Sequence, residues 1–323
     1  MRRKRKKIAH QMSEISTYSN LQVLAYDPTR TTTLRTAFVR DVRRRYKALT
    51  KVIKEAVVDR DCFGLSVQTN AELVPPNYRA FDHMNNGEKV NAFVEWMQRQ
   101  ENKGILAALV FPFVGSLSNS PWTDPYILQA YKQGVTRART ELIRQGYGVP
   151  SIEAAGGIDV VLQGISHVDR LSVLQTKVFQ ELTQTTAAMD SQIMRVLSQG
   201  LLDGSDVRML ARKLVATING TGLGDLGITD TLGRFIPAMR RAETIARTEI
   251  IRAHHLANIE EYKTWQVSGV TVIAEWSTAG DDRVCAECAS LHGNRFTLKE
   301  IEHMIPRHPN CRCIAIPITT IKK

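Results

Sequence analysis

Cys285-Ala286-Glu287-Cys288 and, twenty residues on, His308-Pro309-Asn310-Cys311-Arg312-Cys313 decide how the end of this chain folds. Four of the five cysteines crowd into that segment, with a histidine beside them. A Cys-x-x-Cys turn offers two sulfurs from one tight loop, and a second knuckle closes the cage with thiolate or imidazole. Soft sulfur with one nitrogen selects Zn²⁺ over hard cations. The competing reading is a thiol-redox pair, which normally opens a helix in a βαβ setting, and the surrounding sequence lacks that setting. The spacing therefore predicts a structural zinc site.

The ligand set stays open at this level. Cys311 and Cys313 stand two apart in the apolar run 311–318, which reads as a strand, so both sulfurs fall on one face. His308 precedes them in a loop fixed by Pro306 and Pro309. Cys285, Cys288, His308, Cys311 and Cys313 are five candidates for four places, with His292 and His303 in reserve. Four protein ligands leave no position for a catalytic water, so the site reads as a staple.

Upstream, a helix is expected from Phe235 to about Val267, with Ala242, Ile245, Ala246, Ile250, Ala253, Leu256 and Ala257 as its apolar stripe. Glu249 falls inside that stripe. A buried carboxylate is costly unless paired, and Arg247, Arg252 or Arg312 can serve. Glu249 as a general base is the sharper reading; a structural ion pair, with Arg247 as the first cation named for Glu249, is the plainer and preferred one. His254 and His255, with Glu260 and Glu261, suggest a hydrolytic metal site, but adjacent residues on a helix diverge by about 100°. After Gly269 the pattern switches to period two through Trp276, then turns at Ala279-Gly280-Asp281-Asp282. Thr297 with Glu300 three residues later marks a short helix. The fold class that follows is mainly α with a small C-terminal α+β part: a helical N-terminal region, a long helix, short strands and a knuckle-like cysteine/histidine cluster.

Four segments are expected. Residues 1–30 form a basic arm, 31–218 a helical region, 219–232 a glycine-rich connector, and 233–323 the C-terminal part with its metal cluster. Helices are read at Thr31 to about Arg60, Glu88 to Ala108, Asp124 to about Gly146, His167 to Gly200, and after Asp206 through Ile218. Gly222-x-Gly224-x-x-Gly227 has the form of a dinucleotide fingerprint, but it follows a helix rather than a strand and reads as a connector.

The chain has 323 residues and a net charge of +11, and Arg2, Arg3, Lys4, Arg5, Lys6 and Lys7 contribute six of those charges. Such an arm suits a nucleic-acid backbone through phosphate neutralisation, with a solvated tail as the plain alternative. The first long helix also carries a basic face. No apolar segment follows the arm, so it does not read as a secretory signal. The longest apolar stretch, Gly104 to Gly115, is too short to span a bilayer.

Arg247-Thr248-Glu249, the long helix, Gly269, Trp276, Asp281-Asp282-Arg283-Val284-Cys285-x-x-Cys288, Leu291-His292-Gly293 and His308-Pro309-Asn310-Cys311-Arg312-Cys313 occur here in one order. In this the chain resembles the phage Mu F-like minor head proteins, the phage head morphogenesis domain, over roughly residues 200–318. The resemblance implies a non-enzymatic minor capsid protein of a tailed bacteriophage. It implies association with the portal protein, or with the major capsid or scaffold protein in the procapsid interior, and contact with genomic DNA. It places the protein in the virion head or at the portal vertex, and in the host cytoplasm during assembly. It carries Cys285, Cys288, His308, Cys311 and Cys313 over as the zinc cluster, and Arg247 and Glu249 as the helix signature. The alternative is a zinc-stapled nuclease or related hydrolase using Glu249, His254, His255 or Glu260; a DNA-binding regulator is a third reading.

Overall fold

The computed structural model describes residues 27–65, 79–106, 121–220, 236–267 and 272–319. Seven helices come first among them: α1 (Thr32–Lys54), α2 (Asn86–Gln100), α3 (Asp124–Arg144), α4 (Ile158–Val161), α5 (Ile165–Leu202), α6 (Val207–Asn219) and α7 (Ala238–Val267). Then follow β1 (Val272–Ser277), α8 (Ala286–Leu291), β2 (Arg295–Thr297), α9 (Leu298–Ile301) and β3 (Ile314–Thr319). The fold class is the one expected, mostly helical with a small antiparallel sheet at the C-terminal end.

Local chemistry explains the boundaries. Asp206 accepts from the backbone N–H of Met209 and so caps α6. Thr297 and Glu300 form a reciprocal capping box at α9. Asp124 opens α3 as its first helical residue rather than as its cap, with proline in the first turn. Both α1 and α2 run on into a π-helical turn, Glu55–Asp59 and Glu101–Ile105.

The centre of the molecule is α7. Its small-residue face, Ala242, Ala246, Ala253 and Ala257 with Ile250, lies in the main helical core. There α1, α3 and α5 pack on it. Gly134 of α3 is the reason α3 comes so close. A Cβ there would lie 2.4 Å from the His254 carbonyl oxygen and 2.6 Å from the Ala257 Cβ. The other side of α7, through Ile251, Ile259 and Tyr262, enters a second core with Val272, Ala274, Trp276, Ile301, Ile305, Cys288, Cys311 and Cys313. One helix therefore serves both the bundle and the knuckle region.

The sheet runs β2-β1-β3, with both pairings antiparallel. Along β1 the buried positions alternate as Val272, Ala274 and Trp276, which is the period-two signature of a half-covered sheet. Pro317 faces Ala274 from β3, an edge strand where a missing N–H is tolerated. Cys311 and Cys313 precede β3 rather than lie in it, because ladder pairing begins at Ile314 opposite Ser277. The arm (Arg2, Arg3, Lys4, Arg5, Lys6, Lys7) and the Gly222–Gly227 stretch lie outside the described residues. Among the described residues, no helix is long and apolar enough to cross a membrane.

Candidate metal centre

Two turns bring the sulfurs together. Cys285 sits at the N-cap of α8, in extended backbone, and its sulfur accepts from the Cys288 N–H at 3.4 Å. At the second knuckle the Cys311 N–H reaches the His308 carbonyl at 3.1 Å, closing a four-residue turn. Pro309 supplies the fixed φ of its second position, and Asn310 adopts φ 61° at the third. Asparagine is among the few residues that tolerate that conformation.

All five candidates converge, in two overlapping sets. The ligand atoms of Cys285, Cys288 and His308 lie within 4.8 Å of one another, and so do those of Cys288, Cys311 and Cys313. Cys288 belongs to both. His308 Nε2 stands 3.3 Å from the Cys285 sulfur and 3.2 Å from that of Cys288. Its Nδ1 lies 2.8 Å from the Pro309 carbonyl oxygen. With the proton assigned to Nδ1, Nε2 is left free as a donor atom for metal, and the backbone fixes the ring.

Burial shapes the thiols. The Cys288 thiol is pushed up to about 12, first by desolvation and then by the neighbouring Cys311. Cys311 is drawn down to about 5, chiefly because the Cys313 S–H donates to it. Cys313 is raised by that same hydrogen bond and by burial. The cluster can therefore hold one thiolate and retain protons on its neighbours, and loading a metal would release those protons. Soft sulfur donors with one oriented imidazole fit a soft divalent metal. His292 and His303 stay apart from the cluster: His292 Nδ1 accepts from the Thr278 N–H, and His303 is exposed beside Glu302.

The knuckles are anchored by residues outside them. Asp281 takes both prongs of the Arg312 guanidinium, at 2.7 and 2.5 Å, and also holds Arg283. These guanidinium bonds hold its carboxyl well below the usual range. The approach to the first knuckle is thus tied to the second. Thr248 Oγ1 accepts from the Asn310 N–H at 3.0 Å, and Arg247 Nη1 lies 3.5 Å from Asn310 Oδ1. The turn is therefore docked on α7. Sequence reading quoted Thr248 within the helix signature but gave it no role, since its helical context gave no sign of a tertiary acceptor.

The pairing of Arg247 with Glu249 needs correction. Two helical positions apart, their side chains diverge by about 200°. Arg247 grips Glu243 one turn back, at 3.0 Å. Glu249 is buried, and it accepts from Arg252, one of the three cations read for it, at 3.0 Å and from Lys177 of α5 at 3.3 Å. Arg312, the third cation considered, goes to Asp281. Of the residues weighed for hydrolysis, His254 lies beside the Asn258 amide, His255 Nε2 lies 3.0 Å from the Ile301 carbonyl oxygen, and Glu260 binds Arg170. Among the described residues these do not group as metal ligands.

Residues 191–316 match the family model described as phage Mu protein F like protein. That stretch begins within α5 and runs through α6, α7, both knuckles and half of β3. No curated protein and no solved structure matches the chain.

Proposed function

From the premise that residues 191–316 are a phage Mu F-like domain, which marks a phage head morphogenesis protein, we propose a non-enzymatic minor component of a tailed-phage head. In this reading the chain docks through helical surfaces on the portal, or on capsid or scaffold protein of the procapsid interior. It touches packaged DNA with the arm Arg2–Lys7 and the basic face of α1. The observation that carries the reading is the domain match together with the converging cluster of Cys285, Cys288, His308, Cys311 and Cys313 inside it.

Zn²⁺ is the metal proposed for that cluster. Bound there, it would cross-link the two knuckles. Cys288, common to both ligand sets, would be indispensable. The protein's own part is to hold the donors: Asp281 joins the knuckles, Thr248 seats the second on α7, and the Pro309 carbonyl orients His308.

Quantitative mass spectrometry on purified heads assembled with and without portal tests the function. The reading predicts a few copies per head, lost when portal is omitted. Equal copy number in heads lacking portal contradicts portal docking, and absence from all heads contradicts the head role.

A further inference from the structure

A groove of about 700 Å³ opens beside the second knuckle, between the start of α1, α7 and the knuckle loops. Five arginines line it, namely Arg35 and Arg43 from α1, Arg247 from α7, and Arg283 and Arg312 from the knuckles. The pair from α1 meets the other three, more than two hundred positions away, only in the fold.

Three carboxylates fix these guanidinium groups. Asp27 holds Arg35 at 2.6 Å, Glu243 holds Arg43 and Arg247 at 2.6 and 3.0 Å, and Asp281 holds Arg283 and Arg312 at 2.7 and 2.5 Å. Five cations over three anions leave two positive charges in surplus. The arrangement is layered. The Asp27, Glu243 and Asp281 side chains are 13%, 8% and 9% exposed and lie with Arg35 and Arg312, at 11% and 16%, whereas those of Arg43, Arg247 and Arg283 are 52%, 34% and 66% exposed. The carboxylates pre-orient the forks, and Arg43, Arg247 and Arg283 are the three that reach solvent. A guanidinium held this way loses little freedom on meeting a phosphate, which it grips bidentately.

The charge continues beyond the groove. Arg40, Arg44, Lys47, Lys51 and Lys54 are exposed on α1 at steps of three and four, with Arg44 paired to Asp41. At 1.5 Å per residue that edge is about 21 Å long. An extended row of cations suits a ligand with a regularly repeating negative charge. An acidic peptide is the poorer fit, since only Val39 and Pro309 offer apolar contact in the groove and a peptide needs anchoring pockets.

We propose that the arginine groove and the outward edge of α1 form a seat for the phosphate backbone of DNA, with the metal knuckle as one wall. This rests on the DNA contact proposed above and adds to the arm and the basic face of α1 the arginine groove as its centre. The test is the salt dependence of duplex DNA binding by the full metal-loaded chain, read by fluorescence anisotropy. Each phosphate contact contributes about −0.9 to the slope of log K against log salt. Arg43→Gln with Arg283→Gln is expected to lower the slope magnitude by about 2 and to weaken binding at low salt about tenfold or more. Lys47→Gln with Lys51→Gln, on side chains exposed to solvent, is expected to act in the same direction, while Arg195→Gln on α5 changes binding less than about twofold. Metal content and melting temperature of each variant establish that the fold is kept.

If both double variants keep the wild-type slope while neutralising Arg2–Lys7 abolishes binding, the groove proposal falls and the arm reading stands. If the wild-type chain does not bind duplex DNA at all, both fall.

Discussion

Individual buried ionisable residues set how the fold responds to pH. His254 and His255 on α7 are fully enclosed, and burial first, with neighbouring arginine second for His254, depresses them to about 3 and about 4. A histidine depressed in the fold gives stability that is present above its unfolded value near 6.5 and lost as pH falls toward the folded value. Each shift corresponds to on the order of 3–5 kcal/mol across that window. Thermal melts should therefore show steep loss of stability between about pH 6 and pH 4, and His254→Gln should blunt it. An unchanged acid limb in His254→Gln would show that another group governs it. Glu101 behaves in the opposite sense. Burial, then the adjacent Asp190, push it up to about 9. A raised carboxyl gives stability that is full below its unfolded value and lost as pH rises through the folded one. Glu101→Gln should raise the melting temperature at pH 9 and leave it nearly unchanged at pH 5; equal effects at both would contradict a raised Glu101 carboxyl.

At the scale of elements, the closest joint is that of α3 with α7. A methyl group at Gly134 would meet the His254 carbonyl, which is backbone and cannot swing aside. Gly134→Ala should destabilise by about 1–3 kcal/mol, the usual cost of overpacking. Gly148→Ala, where a Cβ meets nothing within 4 Å, serves as the control. Chemical denaturation checks both, and equal loss at the two sites would remove the close-packing account. Thr248→Val should loosen the second knuckle from α7, read as faster amide exchange at Asn310, because that N–H loses its acceptor. The helices and the strand switch were legible because period 3.6 and period two write themselves into local apolar spacing. Leu34, Phe38, Val42, Tyr46, Leu49 and Ile53 forecast α1, and Thr297 with Glu300 forecast α9. The convergence of the cluster was legible because its candidate ligands come in two short turns. The strand reading of Cys311 and Cys313 failed by a few residues, since a β start depends on the partner strand, here Ser277 opposite Ile314. Arg252, three positions on, was among the cations read for Glu249 and does hold it, but its second partner Lys177, the docking role of Thr248 and the arginine groove were not legible. Each joins residues tens or hundreds of positions apart, and no local spacing records such a meeting.

For the molecule as a whole, α7 couples two cores of unequal kind. The helical core contains large buried side chains such as Phe38, Tyr131 and Met189 and is expected to stand without metal. The second core counts Cys288, Cys311 and Cys313 among its buried members, so three of its contacts are ligand candidates. Chelation should therefore release amide protection across residues 272–319 while α1 and α2 keep theirs; uniform loss over both regions would contradict separate dependence on metal. The cluster inside the Mu F-like domain is the claim on which the rest leans. The direct measurement is metal stoichiometry by native mass spectrometry on freshly reduced full-length protein, wild type beside Cys288→Ser. The account predicts about one zinc per wild-type chain, by the rule that soft sulfur sites select zinc, and none in the variant. Wild-type protein without zinc, or a variant that retains it, would contradict the metal-stapled knuckle.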